Sequence, residues 1–524
     1  MTDSMQQMAL DTLGAYFGYT SFRPGQDRMV DAILAGRDAL GVMPTGAGKS
    51  ICYQVPALML PGITFVVSPL LSLMEDQTRA LLAAGARPSY LNSSLTPAQQ
   101  NTVLKRAREG RYQLMYVAPE RLLEPRFLAF AQEAAADGGI GVPLVAIDEA
   151  HCVSQWGQDF RPAYLQIREF IDSLPQRPIV AAFTATATER VRADIQQMLG
   201  LRDPATVVTG FDRKNLYFGC EEMGDKAKAA WVRDYVIAHS SESGIVYCST
   251  RKTVDALAGE LAEALGPSGI RVGRYHAGMG NDARRQSQRA FIDDDIQVMV
   301  ATNAFGMGID KPNVRFVIHY NMPKDLESYY QEAGRAGRDG QPSRCTLLYS
   351  GTDVRTIRFF IDKELEADNG LPADVKAEAA RKAEERLKYM TFYSTTPKCL
   401  RGFLLEYFGE AAPKKCGNCS CCLAAEQEAQ LQLETSRRRA ADNAHRLEKP
   451  RRTKSTAGAA PLSEADEKLL NALYARRKWL AGKQNVPAFM VFSDATLREM
   501  VEKKPLSLDE LLNISGVGEK KAAR

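Results

Sequence analysis

Residues 39–50 read ALGVMPTGAGKS. Ala39–Met43 is a continuous apolar run, residues 44–48 form a glycine-bearing turn, and Lys49-Ser50 opens a stretch with helical patterning. An apolar run without alternation is the signature of a strand buried on both faces. Glycines at 46 and 48 let backbone N–H groups close on an anion, and the N-terminus of the following helix favours the same charge. Pro44, Thr45, Gly46, Ala47 and Gly48 thus make a phosphate cradle, with Lys49 reaching β- and γ-phosphates and Ser50 ligating Mg²⁺. The strict pattern has glycine where this chain has Met43.

The strand–turn–helix unit recurs outward from this stretch. Strands are expected at Ile63–Ser68, Gln113–Val117, Leu144–Ile147 and Pro178–Ala182, then at Gly244–Cys248, Arg271–Tyr275, Ile296–Val300, Val314–Ile318 and Cys345–Tyr349. Strands alternating with helices imply parallel sheets covered on both faces. Their number exceeds one comfortable domain, so we read an α/β chain of two lobes, 1–208 and 209–350, that break around Gly210-Phe211-Asp212-Arg213. Beyond 350 the alternation stops. Residues 351–423 read as a helical module ending in a cysteine cluster, 424–461 as a basic linker, and 462–524 as a small all-α module that stops at the start of another helix, as if truncated.

Of the 524 residues, 45% are hydrophobic and 25% charged, which excludes a disordered or collagenous chain. The net charge of +4 is too small to make the whole surface a polyanion-binding face. Eight Lys/Arg against two Asp/Glu between Ser436 and Lys454 concentrate positive charge in the linker. No apolar run is long enough to span a bilayer, and the first residues lack the basic start and apolar block of a signal peptide. A cytoplasmic location is expected.

Two further constellations carry chemistry. The apolar strand Leu144–Ile147 ends in Asp148-Glu149-Ala150-His151. Asp148 is placed to hold Mg²⁺ through water, and Glu149 to deprotonate an attacking water. In the second lobe, Gln331-Glu332-Ala333-Gly334-Arg335-Ala336-Gly337-Arg338 sets two arginines three residues apart on a glycine-spaced turn. Such arginines can cross a cleft to stabilise charge on a transferring γ-phosphoryl group.

With these motifs the sequence resembles the RecQ family of DNA helicases within superfamily 2, over residues 10–423. Asp148–Tyr164 (DEAHCVSQWGQDFRPAY) is the most discriminating stretch; Ser68–Gln77 and Phe183–Thr188 match the family's strand-contacting and coupling motifs. The resemblance implies two tandem RecA-like lobes with ATP between them. It implies adenine recognition by Arg23 and Gln26, with Tyr16 or Tyr19 stacking. It favours Arg338 over Arg335 as the finger. It also implies 3′-to-5′ movement on single-stranded DNA, unwinding of forked or tailed duplexes, and a role in recombination and repair near the nucleoid. Ser154, Gln155, Trp156, Phe160 and Arg161 form an aromatic and basic loop suited to a DNA strand, where each stacked base contributes roughly 1–3 kcal/mol; the two aromatics could instead be core residues. An RNA helicase of the same superfamily, or a DNA translocase or scaffold without strand separation, remains the alternative.

Cys399, Cys416, Cys419 and Cys422 offer four thiolates, the donor set of a closed structural Zn²⁺ site. Their spacing matches the family's zinc module, with Cys421 either a spare thiol or an alternative ligand. Residues 424–462 are too short and too charged for the winged-helix domain of larger family members. Residues 462–524 resemble the helical HRDC module, in which Pro487 and Phe489 either pack a core or touch DNA.

Overall fold

The computed structural model describes residues 3–44, 46–154, 160–305, 311–366, 373–427 and 464–484, with parts of 492–517. Thr45, Gln155, Trp156, Pro487 and Phe489 lie outside the described residues.

The first lobe is a seven-stranded parallel sheet of β1 (Ala39–Val42), β2 (Thr64–Val67), β3 (Pro88–Leu91), β4 (Leu114–Val117), β5 (Leu144–Ile147), β6 (Ile179–Thr184) and β7 (Ala205–Val208). Their order is β3-β4-β2-β5-β6-β1-β7. The second lobe holds β8 (Leu216–Glu222), β9 (Ser243–Tyr247), β10 (Val272–Tyr275), β11 (Val298–Ala301), β12 (Val314–His319) and β13 (Ser343–Tyr349) in the order β10-β11-β9-β12-β13-β8. Strands β1, β2, β4 and β5 are buried at every residue, which is why they read as unbroken apolar runs. In the first sheet the strand C-termini carry the chemical motifs, as expected for ligand sites in open parallel sheets, whereas the arginine turn of the second lobe precedes β13 and its Gly337 N–H bonds to Val314 O at the start of β12.

The expectation of five strands per lobe is corrected to seven and six. The missed strands, β3, β7 and β8, all lie at a sheet edge. Edge strands are half covered and lack a continuous apolar signal: β3 starts at Pro88, β7 is buried only at Val207, and β8 ends in Glu221-Glu222.

Helices Gly351–Glu366, Ala373–Thr395 and Leu400–Tyr407 follow. The last of these joins the lobes. Leu405 and Phe408 pack in the core cluster that holds Phe65 and Phe170 of the first lobe, whereas Leu400 and Leu404 pack with Leu216 and Phe218 of the second. The C-terminal unit contains helices Glu464–Gln484 and Asp494–Lys503 around Leu470, Leu497, Met500 and Val501. No helix among the described residues is long and apolar enough to cross a membrane.

Candidate active site and zinc centre

The phosphate loop is shaped by two left-handed glycines, Gly46 at φ 86° and Gly48 at φ 77°. Gln26, on the helix Gln26–Leu34, donates from Nε2 to the carbonyls of Ala47 and Gly48, both at 3.0 Å. Its Oε1 accepts from the Arg23 N–H at 2.9 Å, and the Arg23 guanidinium donates to Gly46 O. A Cβ on Gly48 would stand 2.5 Å from the movable end of Gln26, and the φ of 77° is what favours glycine here. The two residues expected at the adenine therefore brace the loop backbone in this structure. Tyr19 is 52% exposed, whereas Tyr16 packs against a core cluster.

Lys49 starts the helix Lys49–Met59, followed by a half-buried Ser50. Lys49 Nζ is buried with no hydrogen-bond partner among the described residues, and Glu149 Oε1 lies 3.7 Å away. A buried ammonium lacking a hydrogen-bonded anion is costly, and a triphosphate would satisfy it. Asp148 is buried at the end of β5; burial, then the Glu149 carboxylate, push its pKa up to about 6, while Lys49 draws it back. Two carboxylates beside one ammonium fit a divalent cation between them and phosphate oxygens.

Glu149 takes a left-handed backbone, φ 47° and ψ 46°, which costs a non-glycine residue of order 1–3 kcal/mol and often marks a functional position. Its Oε2 lies 3.3 Å from His151 Nδ1, which is 2.9 Å from Thr184 Oγ1. Thr184 Oγ1 donates to Thr186 O at 3.1 Å, and Gln331 Nε2 reaches across from the second lobe to Thr186 Oγ1 at 3.4 Å. A run of polar contacts thus links Glu149 through His151, Thr184 and Thr186 to Gln331 in the arginine segment.

The two arginines differ in placement. A Cβ on Gly46 would lie 3.5 Å from Arg338 Cγ, so Arg338 stands on the phosphate loop. Arg335 is buried within its own lobe, where its charge and hydrogen bond act on the Tyr247 hydroxyl. The turn is held by a residue that the sequence reading passed over. Arg213 donates to Gly334 O at 3.2 Å, Ala336 O at 3.0 Å and Gly337 O at 2.9 Å. A lone arginine in an apparent interlobe break carries no motif signal.

On the expected DNA loop, Ser154 is fully buried and its hydroxyl donates to Asp194. It braces the loop and offers no exposed face. Phe160 is half-buried. Arg161 donates to Pro69 O at 3.1 Å and ties this loop to the Ser68–Gln77 motif.

The Sγ atoms of Cys399, Cys416, Cys419 and Cys422 all lie within 4.8 Å of one another. Tetrahedral Zn–S bonds of about 2.3 Å need neighbouring sulfurs about 3.8 Å apart, so a small contraction closes the site. Backbone N–H groups of Gly402, Asn418 and Cys422 point at Cys399, Cys416 and Cys419 sulfurs at 3.3–3.5 Å, an environment suited to thiolates. Cys421 instead donates to Thr396 O at 3.4 Å and stands outside the four.

Two parallel-sheet lobes meeting at a phosphate loop, an acidic strand end and a facing arginine define a superfamily 2 helicase motor. Family models match in the same order: DEAD/DEAH box helicase over 23–195, helicase conserved C-terminal domain over 227–340, RecQ zinc-binding over 351–423 and HRDC domain over 466–524. The chain is 40% identical to the ATP-dependent DNA helicase RecQ of Bacillus subtilis, covering 99% of this chain and 97% of that protein. It is 36% identical to the ATP-dependent DNA helicase RecQ of Pasteurella multocida, covering 99% and 92%. Among solved structures, the helicase MrfA bound to DNA shares the fold with a TM-score of 0.54 at 17% identity, covering 73% of this chain and 55% of that one. The chain belongs to the RecQ family of ATP-dependent DNA helicases. It is an enzyme that couples ATP hydrolysis to helicase action, with an ATP-binding motor and a zinc-binding module. The Bacillus alignment runs over 597 positions against 524 residues here, so that relative carries residues without a counterpart in this chain.

Proposed function

We propose that this chain moves 3′ to 5′ on single-stranded DNA and unwinds forked or tailed duplexes in recombination and repair, at the nucleoid. The observation that carries the reading is the seam itself, with Arg338 packed on Gly46 and Gln331 bonded to Thr186. Pro44–Ser50 cradle the triphosphate, and Lys49 neutralises its β- and γ-oxygens. Ser50 and Asp148 would hold Mg²⁺, which when bound screens the phosphate charge. Glu149 takes the proton of the attacking water, and Arg338 stabilises charge on the departing γ-phosphoryl group. Arg23 and Gln26 set the loop and border the base site, with Tyr19 exposed beside it. Hydrolysis opens the seam and lets one lobe advance along the strand.

DNA lies against residues 155–161. Phe160 and Arg161 contribute together with Gln155 and Trp156, and the Arg161 bond to Pro69 supports a shared track with the first-lobe motif. The module boundaries we assign are 1–208, 209–350, 351–423, 424–461 and 462–524. The zinc-binding match ends at 423 and the HRDC match begins at 466, which supports reading the stretch between them as a linker too short for a winged helix.

The test is a fluorescent forked duplex bearing either a 3′ or a 5′ single-stranded tail, with ATP and Mg²⁺. Unwinding of the 3′-tailed fork alone is expected. Turnover stimulated by RNA but not by DNA would overturn the reading.

A further inference from the structure

The segment 210–216, which reads as a linker, is gripped on both sides. From the zinc module, the buried Arg401 donates through one guanidinium nitrogen to Asp212 Oδ1 at 2.6 Å and to Arg213 O at 2.7 Å, and through the other to Leu216 O. Glu410 Oε1 accepts from the Phe211 N–H at 2.7 Å, and the Phe408 ring stacks on Phe211 with centroids 4.5 Å apart. On the opposite side, Arg213 holds the carbonyls of Gly334, Ala336 and Gly337, and the Tyr330 hydroxyl donates to Phe211 O at 2.6 Å. Gly337 sits at φ 56°, where a Cβ would strike Asn215 Nδ2 at 2.4 Å. The next residue is Arg338.

From this we propose that the zinc module is a positioning element of the ATPase: Arg401, acting through Asp212-Arg213, sets where Arg338 stands against the phosphate loop. The inference rests on the reading of Arg338 as the finger. The zinc module therefore does more than staple two lobes. It fixes one face of the segment whose arginine, on the opposite face, carries the finger turn, and each contact in the path is a directional hydrogen bond or a close ring stack. Arg401 touches no nucleotide and acts only through Arg213. A planar guanidinium can reach three oxygens at fixed angles, whereas an ammonium at the same place keeps the Asp212 charge pair and loses the fork. Displacing a catalytic group by about 1 Å costs roughly 100-fold in rate.

The test compares Arg401→Lys, Arg338→Lys and the double variant in the full-length zinc-loaded enzyme, reading DNA-stimulated kcat, KM for ATP, zinc content and melting temperature. Arg401→Lys is expected to lower kcat by roughly 10- to 100-fold with KM for ATP within about twofold. Zinc should stay near one per chain. Because both act on one group, the double variant should be no slower than Arg338→Lys alone. If Arg338→Lys keeps wild-type turnover, the finger reading falls, and this inference with it. Should Arg338→Lys be slow while Arg401→Lys keeps wild-type kcat, or should the two losses multiply, the positioning role alone is overturned. If Arg401→Lys loses zinc or fails to fold, Glu410→Ala replaces it in the same cycle, since Glu410 holds the same segment at Phe211. A loss of kcat that vanishes in the Arg338→Lys background supports the proposal, and unchanged kcat overturns it.

Discussion

The two sides of the nucleotide seam are held in opposite ways. The phosphate loop is braced from within its own lobe: Arg23 and Gln26, some twenty residues upstream, bond to the carbonyls of Gly46, Ala47 and Gly48. The arginine turn is braced from far along the chain, by Arg213 at a separation of 121–124 residues and, behind it, by Arg401 at 188–189 residues from Asp212 and Arg213. One side has a geometry set by a short stretch of sequence. The other acquires its geometry only when the second sheet and the zinc module have both assembled. Nucleotide binding should therefore be robust, and turnover should be sensitive to remote changes.

The sharpest way to break that contrast is to remove each side in turn. Arg338→Ala should lower DNA-stimulated kcat by roughly 10³-fold or more while KM for ATP stays within a few fold, because the loop and Lys49 remain in place. Steady-state ATPase assays over a range of ATP decide it; retention of a tenth of wild-type turnover would show that the turn does not act on the transferring phosphoryl group. Cys419→Ser should abolish zinc binding, measured by elemental analysis, and with it the packing of Leu400 and Leu404 on the second sheet. Cys421→Ser should leave the metal content near one per chain, since its thiol bonds elsewhere.

Gly337→Ala asks the same question with one methyl group. The added Cβ would meet Asn215 Nδ2 at 2.4 Å, Ser343 Oγ at 2.7 Å and the Gln341 carbonyl at 2.8 Å, at a backbone φ of 56°. The turn must shift, and turnover should fall roughly 10- to 100-fold, with little change in ATP affinity. Gln26→Ala should give the complementary result: the loop loses two backbone bonds, KM for ATP rises about tenfold, and kcat changes little. If Gln26→Ala acted on kcat alone, the loop would not be the self-braced half.

This contrast also explains what could be read in the sequence. The phosphate loop, the Asp148-Glu149 pair and the four cysteines are local in the chain, so residue type and spacing expose them. The buried strands β1, β2, β4 and β5 were legible for the same reason. Arg213 and Arg401 were not. Each is a single charged residue whose partners lie more than a hundred positions away, and no periodicity marks it. The left-handed backbone of Glu149 was equally hidden, since nothing in the residue type favours it. The burial of Ser154 is hidden too, because a hydroxyl in a polar loop gives no sign that Asp194 covers it.

The last comparison concerns the seam between the second lobe and the zinc module, where a carboxylate is buried at a contact that serves assembly. Glu327 lies on the helix Leu326–Ala333, and its Oε1 accepts from the Tyr407 hydroxyl at 2.6 Å. Its Oε2 is buried without a hydrogen-bond partner among the described residues. Burial, then the Asp325 charge, push its pKa up from 4.5 to about 7, against the Tyr407 bond. A raised acid keeps its proton in the folded state where the unfolded chain has lost it. Its contribution to stability is therefore present at low pH and declines as pH climbs from about 4.5 to about 7, then levels off. Glu327→Gln keeps an oxygen for Tyr407 and removes the titration, so it should raise stability at pH 8 by about 1–3 kcal/mol and by much less at pH 5. Thermal or urea melts of the zinc-loaded enzyme at the two pH values measure it, with kcat expected near wild type. An equal shift at both pH values would mean that the carboxylate at this seam does not titrate between them.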